Sequence, residues 1–557
     1  MSRTLTPGTQ SFERLRVNNY FYIDKTKFIQ DWWNNGIDVT LITRPRRFGK
    51  TLMLDTVKTF FSTEFAGRSD LFEGLEIWNN EKFRNLQGTI SVIFLSFAKF
   101  NNDNYFDIIA RIKAAISSIY GSFASYIDIN AIPDAEKELF TSVCLSMPDS
   151  TAQDAIYYLC KFITMQHKIR PIILLDEYDT PLQEAWLHNY WDKLVNFMRG
   201  FMNSTFKTNP YLERGLITGI TRVAKESIFS DMNNLEVVGT TSRFYTDCFG
   251  FTEQEVFQAM DEFELTQKEK VKYWYDGFNF GKSKEIYNPW SILNYLKNQE
   301  FTSYWANTTS NKMISDLIIK SDEDRKDELS KLIQGDSIIT KMNEEIIFTQ
   351  LDEPAALWSL LMSAGYLKPT NFNLENKEYE LTLTNHEIYE VFETLITNWF
   401  KNSINFKRKF LNALLSDDLD SMNINLKHVT QNTFSVFDIN ETEPEKFYHG
   451  FVLGLIVDLK EDYIIKSNRE SGYGRYDIMM IPRRANYHGI IIEFKTLDQK
   501  SKNDLEKTCQ SALEQIKTKD YISELLDHNI AANNIYIYGI VFQGKDILIR
   551  GGLEANI

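Results

Sequence analysis

The chain has 557 residues, of which 43% are apolar and 25% charged, and its formal net charge is -15. That length calls for two to four domains of roughly 100 to 200 residues each. The composition is that of an ordinary globular protein without the ~20-residue apolar run of a membrane span, so no membrane partner is expected. The negative balance excludes a surface that attracts nucleic acid as a whole; such a partner needs a local basic channel or bridging metal ions.

The first residues, "MSRTLTPGTQSFERLRVNNYF", carry no apolar segment after the early arginine, so no secretory signal is read and a cytoplasmic location is expected. Cys144, Cys160, Cys248 and Cys509 stand alone, without a C-x-x-C pair. Isolated thiols fit a reducing compartment and argue against a disulfide framework or a structural zinc site.

From Val39 to about Thr221, short β-rich runs ("DVTLIT", "ISVIFLSF", "PIILLDEYD", "RGLITGIT") alternate with amphipathic stretches ("KTLMLDTVKTFFSTEF", "YFDIIARIKAAISSIY", "AQDAIYYLCKFITMQH"). This alternation predicts an α/β sheet layered with helices. Strands become scarce from about 250 to 375, where "TEQEVFQAMDEFELTQKEKVKYWYDGF" and "PWSILNYLKN" read as helices. After about 440, "YDIMMIP", "GIIIEFKTL" and "NIYIYGIVF" return to strands around a long helix at "DLEKTCQSALEQIKTKDYISELL". The expected division is 1-250, a mostly helical 251-375, and 376-557 with its core at about 440-545.

A phosphate-binding loop needs a strand, a turn whose N-H groups converge on anionic oxygens, a lysine for the β/γ phosphates and a hydroxyl for Mg²⁺, in the pattern G-x-x-x-x-G-K-[ST]. "DVTLIT" feeds "RPRRFGKT", which supplies Gly49, Lys50 and Thr51 but holds Arg44 where the first glycine belongs, followed by Pro45. Arg44, Arg46 and Arg47 read as added positive charge for a polyphosphate. The plainer alternative is a turn before a helix. Such a loop also needs an acid at the end of a buried strand. "PIILLDEYD" offers Asp176 for the metal shell and Glu177 as the base that polarises water, against the alternative of a surface turn. Thr218, Thr221 and Arg222 close the next strand as a polar sensor or an ordinary loop start.

Near the end, Asp477 opens an apolar strand, and Glu493 and Lys495 close another. A strand's period of two puts these last two on one face with Phe494 pointing the other way. Two carboxylates bind one or two Mg²⁺ and a lysine places or activates a nucleophile, which is phosphodiester hydrolysis chemistry; an exposed E-x-K face is the plainer reading. Glu445 and His449, four apart on a predicted helix, add to that metal site or are structural. Gln515, Lys519 and Tyr521 contact a nucleic-acid backbone, orient the lysine, or solvate their helix.

The ordered series "SFERLRVNNYFYIDKTKFI", "RPRRFGKTL", "LLDEYDTPL", "LITGITRVAKESIFSDMNNL", "YDGFNFG", "YNPWSILNYL", "LWSLLMSAGYL", "YHGFVLGLI", "GYGRYDIMMIP" and "IIIEFK" spans most of the chain. It resembles a bacterial family that joins an AAA-ATPase-like domain to a C-terminal nuclease-like domain of the PD-(D/E)XK superfamily. The resemblance implies a P-loop NTPase-like parallel sheet, a helical middle region and a restriction-endonuclease-like α/β domain. It further implies ATP bound by Lys50 and Thr51 with Asp176 and Glu177, and an Mg²⁺-dependent nuclease centre at Asp477, Glu493 and Lys495. The implied partner is nucleic acid, DNA ahead of RNA, and assembly into a homo-oligomer is left open. The R-P-R-R-F-G-K form of the loop resembles the family's usual one. The rival reading is a nucleotide-switched scaffold whose nuclease-like domain binds without cleaving.

Overall fold

The computed structural model describes residues 3-556 apart from 222-227, 230-231, 306-313, 315-316, 319-324, 326-327, 330, 333-334, 343-353, 400-403, 435-451, 453-454, 457-458, 461, 472-473, 485-486, 498-503 and 544-545. It forms two compact units, Met1–Leu317 with Ile339–Tyr389, and Ile318–Ile338 with Glu390–Ile557. Among the described residues, no helix is long and apolar enough to cross a membrane.

In the first unit, strands β1 (Val39–Thr43), β2 (Val92–Ser96), β3 (Ile172–Asp176), β4 (Arg214–Gly219) and β5 (Leu235–Val238) form a parallel sheet in the order β2-β3-β4-β1-β5. Parallel strands are covered on both faces and therefore read as continuous apolar runs: every residue of "VTLIT" and "IILLD" is buried. Helix Lys50–Phe61 packs its Leu54, Val57 and Phe60 into the same core as Ile42, Leu174 and Leu216. Because β1, β3 and β4 run in one direction, the segments that leave them emerge on one edge, where open α/β sheets place ligands.

A small antiparallel sheet follows, β6 (Phe251–Thr252), β7 (Phe278–Phe280) and β8 (Ser283–Tyr287) in the order β6-β8-β7. The long helical run expected there is two helices, Glu253–Glu262 and Lys268–Tyr275, separated at Glu264, whose φ of 59° lies in the left-handed region. The first begins at a capping box, with Thr252 Oγ1 accepting from Glu255 N while Glu255 accepts from Thr252 N. Asn288 caps helix Pro289–Asn298. Strands β9 (Ile338–Lys341), β10 (Leu367–Asn373) and β11 (Glu378–Leu383) make a third sheet.

The second unit holds a mixed sheet in sequential order, β12 (Tyr463–Ser471), β13 (Gly474–Pro482), β14 (Gly489–Thr496), β15 (Ile535–Gln543) and β16 (Asp546–Leu553). Only β14 and β15 are parallel. A parallel pair needs a crossover, and helix Leu505–Thr518 lies within it. Alternation sorts β14 between two cores: Ile490, Ile492 and Phe494 enter one, and Ile491 enters the other with Leu513 and Ile516 of that helix. The long helix read from the sequence stops at Thr518, and a short one, Ile522–Asp527, follows.

Candidate functional site

The loop from Arg44 to Gly49 links β1 to helix Lys50–Phe61. Gly49 has φ 78°, and a Cβ there would meet nothing within 4 Å, so the left-handed backbone rather than crowding calls for glycine. Arg44 is not among the positive-φ residues, which leaves the first-glycine position open to a side chain. Its guanidinium is fully buried and turned away from the loop opening: Nη1 donates to Thr43 O (2.9 Å), Val238 O (3.2 Å) and Gly239 O (2.8 Å), and Nη2 to Tyr245 O (3.3 Å). It also lies 4.6 Å from the centre of the Phe280 ring. Arg44 therefore ties β5 to the loop and is not the polyphosphate contact that its charge suggested. Burial pulls its pKa down to about 10.

Arg47 lies over the Trp290 ring at 4.3 Å. Arg46 reaches toward Gln183 Oε1 at 3.5 Å, and its carbonyl accepts from Asn288 Nδ2 (3.1 Å) and Trp305 Nε1 (3.3 Å). Lys50 is buried, with Nζ donating to Arg44 O (2.9 Å) and Pro45 O (2.8 Å). Burial lowers its pKa to about 8, against the opposing pull of Glu177, Asp176 and Asp179.

Asp176, at the buried end of β3, joins three elements. Thr51 Oγ1 donates to Oδ2 (2.8 Å), and Thr218 Oγ1 of β4 donates to Oδ1 (2.6 Å). Glu177 follows in a left-handed conformation (φ 52°) and accepts from Thr180 Oγ1 at 3.2 Å. Burial first, then Asp176, raises its pKa, and Lys50 counters this. Thr221 belongs to a different group. Asp179 Oδ2 accepts from Ile220 N (3.0 Å), Thr221 N (2.8 Å) and Thr221 Oγ1 (2.7 Å). Sequence reasoning missed Asp179 because nothing in "LLDEYDTPL" distinguishes an acid facing the loop from one that clamps the next strand. Arg222 lies outside the described residues.

In the second unit the β13–β14 register runs Met480↔Ile490, Met479↔Ile491, Ile478↔Ile492; the next positions are Asp477 and Glu493. There the ladder gives way to a side chain, with Phe494 N donating to Asp477 Oδ2 at 2.8 Å. Glu493 is 2% exposed, its Oε1 takes a hydrogen bond from Gln515 Nε2 and lies 3.5 Å from Lys495 Nζ, and its Oε2 is buried without a hydrogen-bond partner among the described residues. Burial raises the pKa of both Glu493 and Asp477, and Asp477 raises Glu493 further. The two acids and Lys495 thus converge, with Gln515 beside them and Tyr521 Oη 3.4 Å from Gln515 Nε2. Lys519 is the C-cap of helix Leu505–Thr518. Glu445 and His449 lie outside the described residues.

Residues 6–229 match the family model described as "Predicted AAA-ATPase", and residues 443–551 that of the PD-(D/E)XK nuclease superfamily. The chain joins an AAA-ATPase-like domain to a PD-(D/E)XK nuclease superfamily domain. An "Uncharacterized protein in vnfD 5'region" of Azotobacter chroococcum mcd 1 is 23% identical, with 97% of each chain covered. Among solved structures, the Aeropyrum pernix ORC2 protein (ADPNP-ADP complexes) overlaps 69% of this chain and 98% of its own at 11% identity, with a TM-score of 0.25.

Thr51 and Asp176 of the ATPase-like domain form a hydroxyl–carboxylate pair suited to an Mg²⁺ ion accompanying a nucleotide. In the nuclease-like domain the residues also fit a divalent cation: hard oxygen donors meet where two strands part, and one carboxylate oxygen is buried without a hydrogen-bond partner among the described residues.

Proposed function

We propose that the protein binds and hydrolyses ATP in its first domain and cleaves nucleic-acid phosphodiesters in its last, with nucleotide state regulating cleavage. The observation that supports the ATP half best is Asp176, which accepts from both Thr51 and Thr218 beside the buried Lys50. Gly49, Lys50 and Thr51 grip the polyphosphate, with Arg46 and Arg47 at the loop's rim. Thr51 and Asp176 hold Mg²⁺. Glu177 accepts the proton of the attacking water, a role helped by its raised pKa.

In the nuclease-like domain Asp477 and Glu493 hold Mg²⁺, and Lys495 places the nucleophile. When bound, the metal offsets phosphodiester charge and acidifies water. Gln515 holds Oε1 of Glu493, so Oε2 would be the oxygen available to a cation. DNA is the proposed substrate ahead of RNA. The domain limits that accompany this reading are 1-250, 251-375 and 376-557.

The test is cleavage of single- and double-stranded DNA and RNA by wild type and Lys495→Ala, with and without ATP and Mg²⁺. Cleavage by wild type alone supports the reading. No cleavage under any of these conditions sinks the nuclease half. The net charge of -15 favours one rival, a nucleotide-switched scaffold that binds nucleic acid or protein without cutting. Under that rival, Mg²⁺ or Mn²⁺ binding abolished by Glu493→Ala is not expected.

A further inference from the structure

The sheet of the second unit has a charged, aromatic end that the proposed cleavage does not use. Tyr463 pairs with Pro482 and Gly489 with Ile535, so the start of β12, the end of β13 and the starts of β14 and β15 meet there. Glu493 lies roughly 17 Å from His488 along β14, at ~3.3 Å per residue. It is also on the other face: it alternates with Ile491, whereas Tyr487 and Tyr536 pack against the core that takes Ile490 and Ile492. The turn between β13 and β14 reads "RRANYH". Arg483 and Arg484 are exposed, as is Lys460, whose carbonyl accepts from Arg483 Nε at 3.3 Å. The Arg484 guanidinium lies 5.8 Å from the centre of the Tyr487 ring, and His488 stacks on Tyr536 with ring centres 4.3 Å apart and planes 22° from parallel. Tyr487, His488 and Tyr536 are half-buried. Tyr487 is anchored, since its ring stacks on that of Tyr463 at 5.7 Å and its carbonyl accepts from Asn534 Nδ2 at 3.2 Å. Nearby carboxylates are engaged: Asp462 Oδ1 is 3.2 Å from Arg484 Nη2, and Asp417 accepts from Tyr538 Oη at 2.9 Å.

We propose that this end of the sheet binds single-stranded nucleic acid, with Lys460, Arg483 and Arg484 on the phosphates and bases stacked on Tyr487 and on the His488–Tyr536 pair. Binding here needs neither metal nor hydrolysis and so stands apart from the cleavage reading. Anchored rings beside exposed cations are the stacking platform and electrostatic track that single strands use, and an arginine over one of the rings brings both contacts together. A duplex keeps its bases stacked on each other and offers the surface only its phosphates. An acidic protein segment would meet the cations but leave the rings unused. The pairing of Arg484 with Asp462 does not stand in the way: the Arg484 side chain is 64% exposed, and exposed ion pairs contribute little, so the guanidinium can exchange to a phosphate. With a net charge of -15, the chain needs a local basic surface to attract a polyanion, and this sheet end is such a surface.

The test is fluorescence anisotropy of the full chain in EDTA with a labelled oligothymidylate of about ten nucleotides, the corresponding dT·dA duplex, and unlabelled polyglutamate as competitor. Wild type is expected to bind the single strand about five-fold or more tightly than the duplex. Arg483→Gln combined with Arg484→Gln, both at exposed positions, lowers single-strand affinity about ten-fold and flattens the log–log salt dependence by about 1.4, or ~0.7 per cation removed. Tyr487→Leu, which keeps the apolar packing, lowers single-strand affinity about five-fold or more with the salt slope unchanged. Lys495→Ala binds as wild type does. The platform is overturned by absence of binding, by equal affinity for strand and duplex, or by binding indifferent to the arginine and tyrosine substitutions. Displacement by polyglutamate as effective as by unlabelled oligothymidylate also overturns it and assigns the surface to an acidic protein. Cleavage with Mg²⁺ is scored separately: an active nuclease whose binding in EDTA ignores these substitutions loses only the platform, and an inactive chain that binds as described loses only the nuclease.

Discussion

Arg44 shows how far a residue's chemistry depends on what its backbone neighbours leave unpaired. From the sequence it is a cation beside a phosphate loop; in the fold its forked donors meet the carbonyls of Val238, Gly239 and Tyr245. Those partners are 194 to 201 residues away, and no local pattern announces them. Arg44→Leu strands several buried carbonyls and is expected to destabilise the first unit by about 3 kcal/mol; a chemical-denaturation midpoint equal to wild type would refute this. Asp276 gives a second residue-scale prediction. Burial raises its pKa to about 6 from 3.8, and its Oδ1 is buried without a hydrogen-bond partner among the described residues. The native state therefore holds this proton more tightly than the unfolded chain. The associated stability is present below pH ~4 and is lost as the pH rises through about 6. Asp276→Asn, which keeps a neutral side chain, should stabilise by about 1 kcal/mol at pH 7.5, an amount discounted for partial exposure, and by less at pH 4.5. Melting curves of both proteins at the two pH values check the sign.

At the scale of elements, the nuclease-like site depends on how closely one helix approaches one sheet. Gly539 of β15 pairs with Glu493 of β14, and a Cβ on Gly539 would lie 2.8 Å from Cys509 O and 3.0 Å from Ala512 Cβ. Glycine inside a strand marks such close approach, and here it lets helix Leu505–Thr518 bring Gln515 onto Glu493. Gly539→Val should push the helix outward, lower stability by about 1 to 3 kcal/mol, and weaken Mn²⁺ binding at Glu493. Unchanged Mn²⁺ affinity in a folded Gly539→Val variant would break the link between helix and site. The elements themselves were legible. "VTLIT", "IILLD" and "GIIIEFKT" are apolar runs that end in polar residues, so both strand and exit point could be read, and a period of two placed Glu493 and Lys495 together. The side-chain ties that fix each exit could not be read, because Asp179 to Thr221 and Gln515 to Glu493 join positions 42 and 22 residues apart. Breaks in the long helical runs were also hidden, since a left-handed turn at Glu264 leaves apolar periodicity on both sides intact.

At the scale of the whole molecule, the chain forms two compact units, to which the proposed function assigns different ligands. The first unit contains Lys50, Thr51 and Asp176, and the second contains Asp477, Glu493 and Lys495. Two-state unfolding is not expected of a multidomain chain, so calorimetry of the full protein should show at least two transitions. A ligand that binds only the native state stabilises it by RT ln(1 + [L]/Kd), about 2.7 kcal/mol at one hundred times Kd. ATP with Mg²⁺ should therefore raise one transition through Lys50 and Thr51, whereas Mn²⁺ alone should raise the other through Asp477 and Glu493. Lys50→Ala is expected to erase the ATP-induced shift and keep the Mn²⁺-induced one, and Glu493→Ala the reverse. Each variant serves as the folding control for the other, because a lesion confined to one unit leaves the other unit's response intact. Were both shifts to vanish in either variant, the two units would have to be treated as a single cooperative body, and the assignment of one ligand to each would fall.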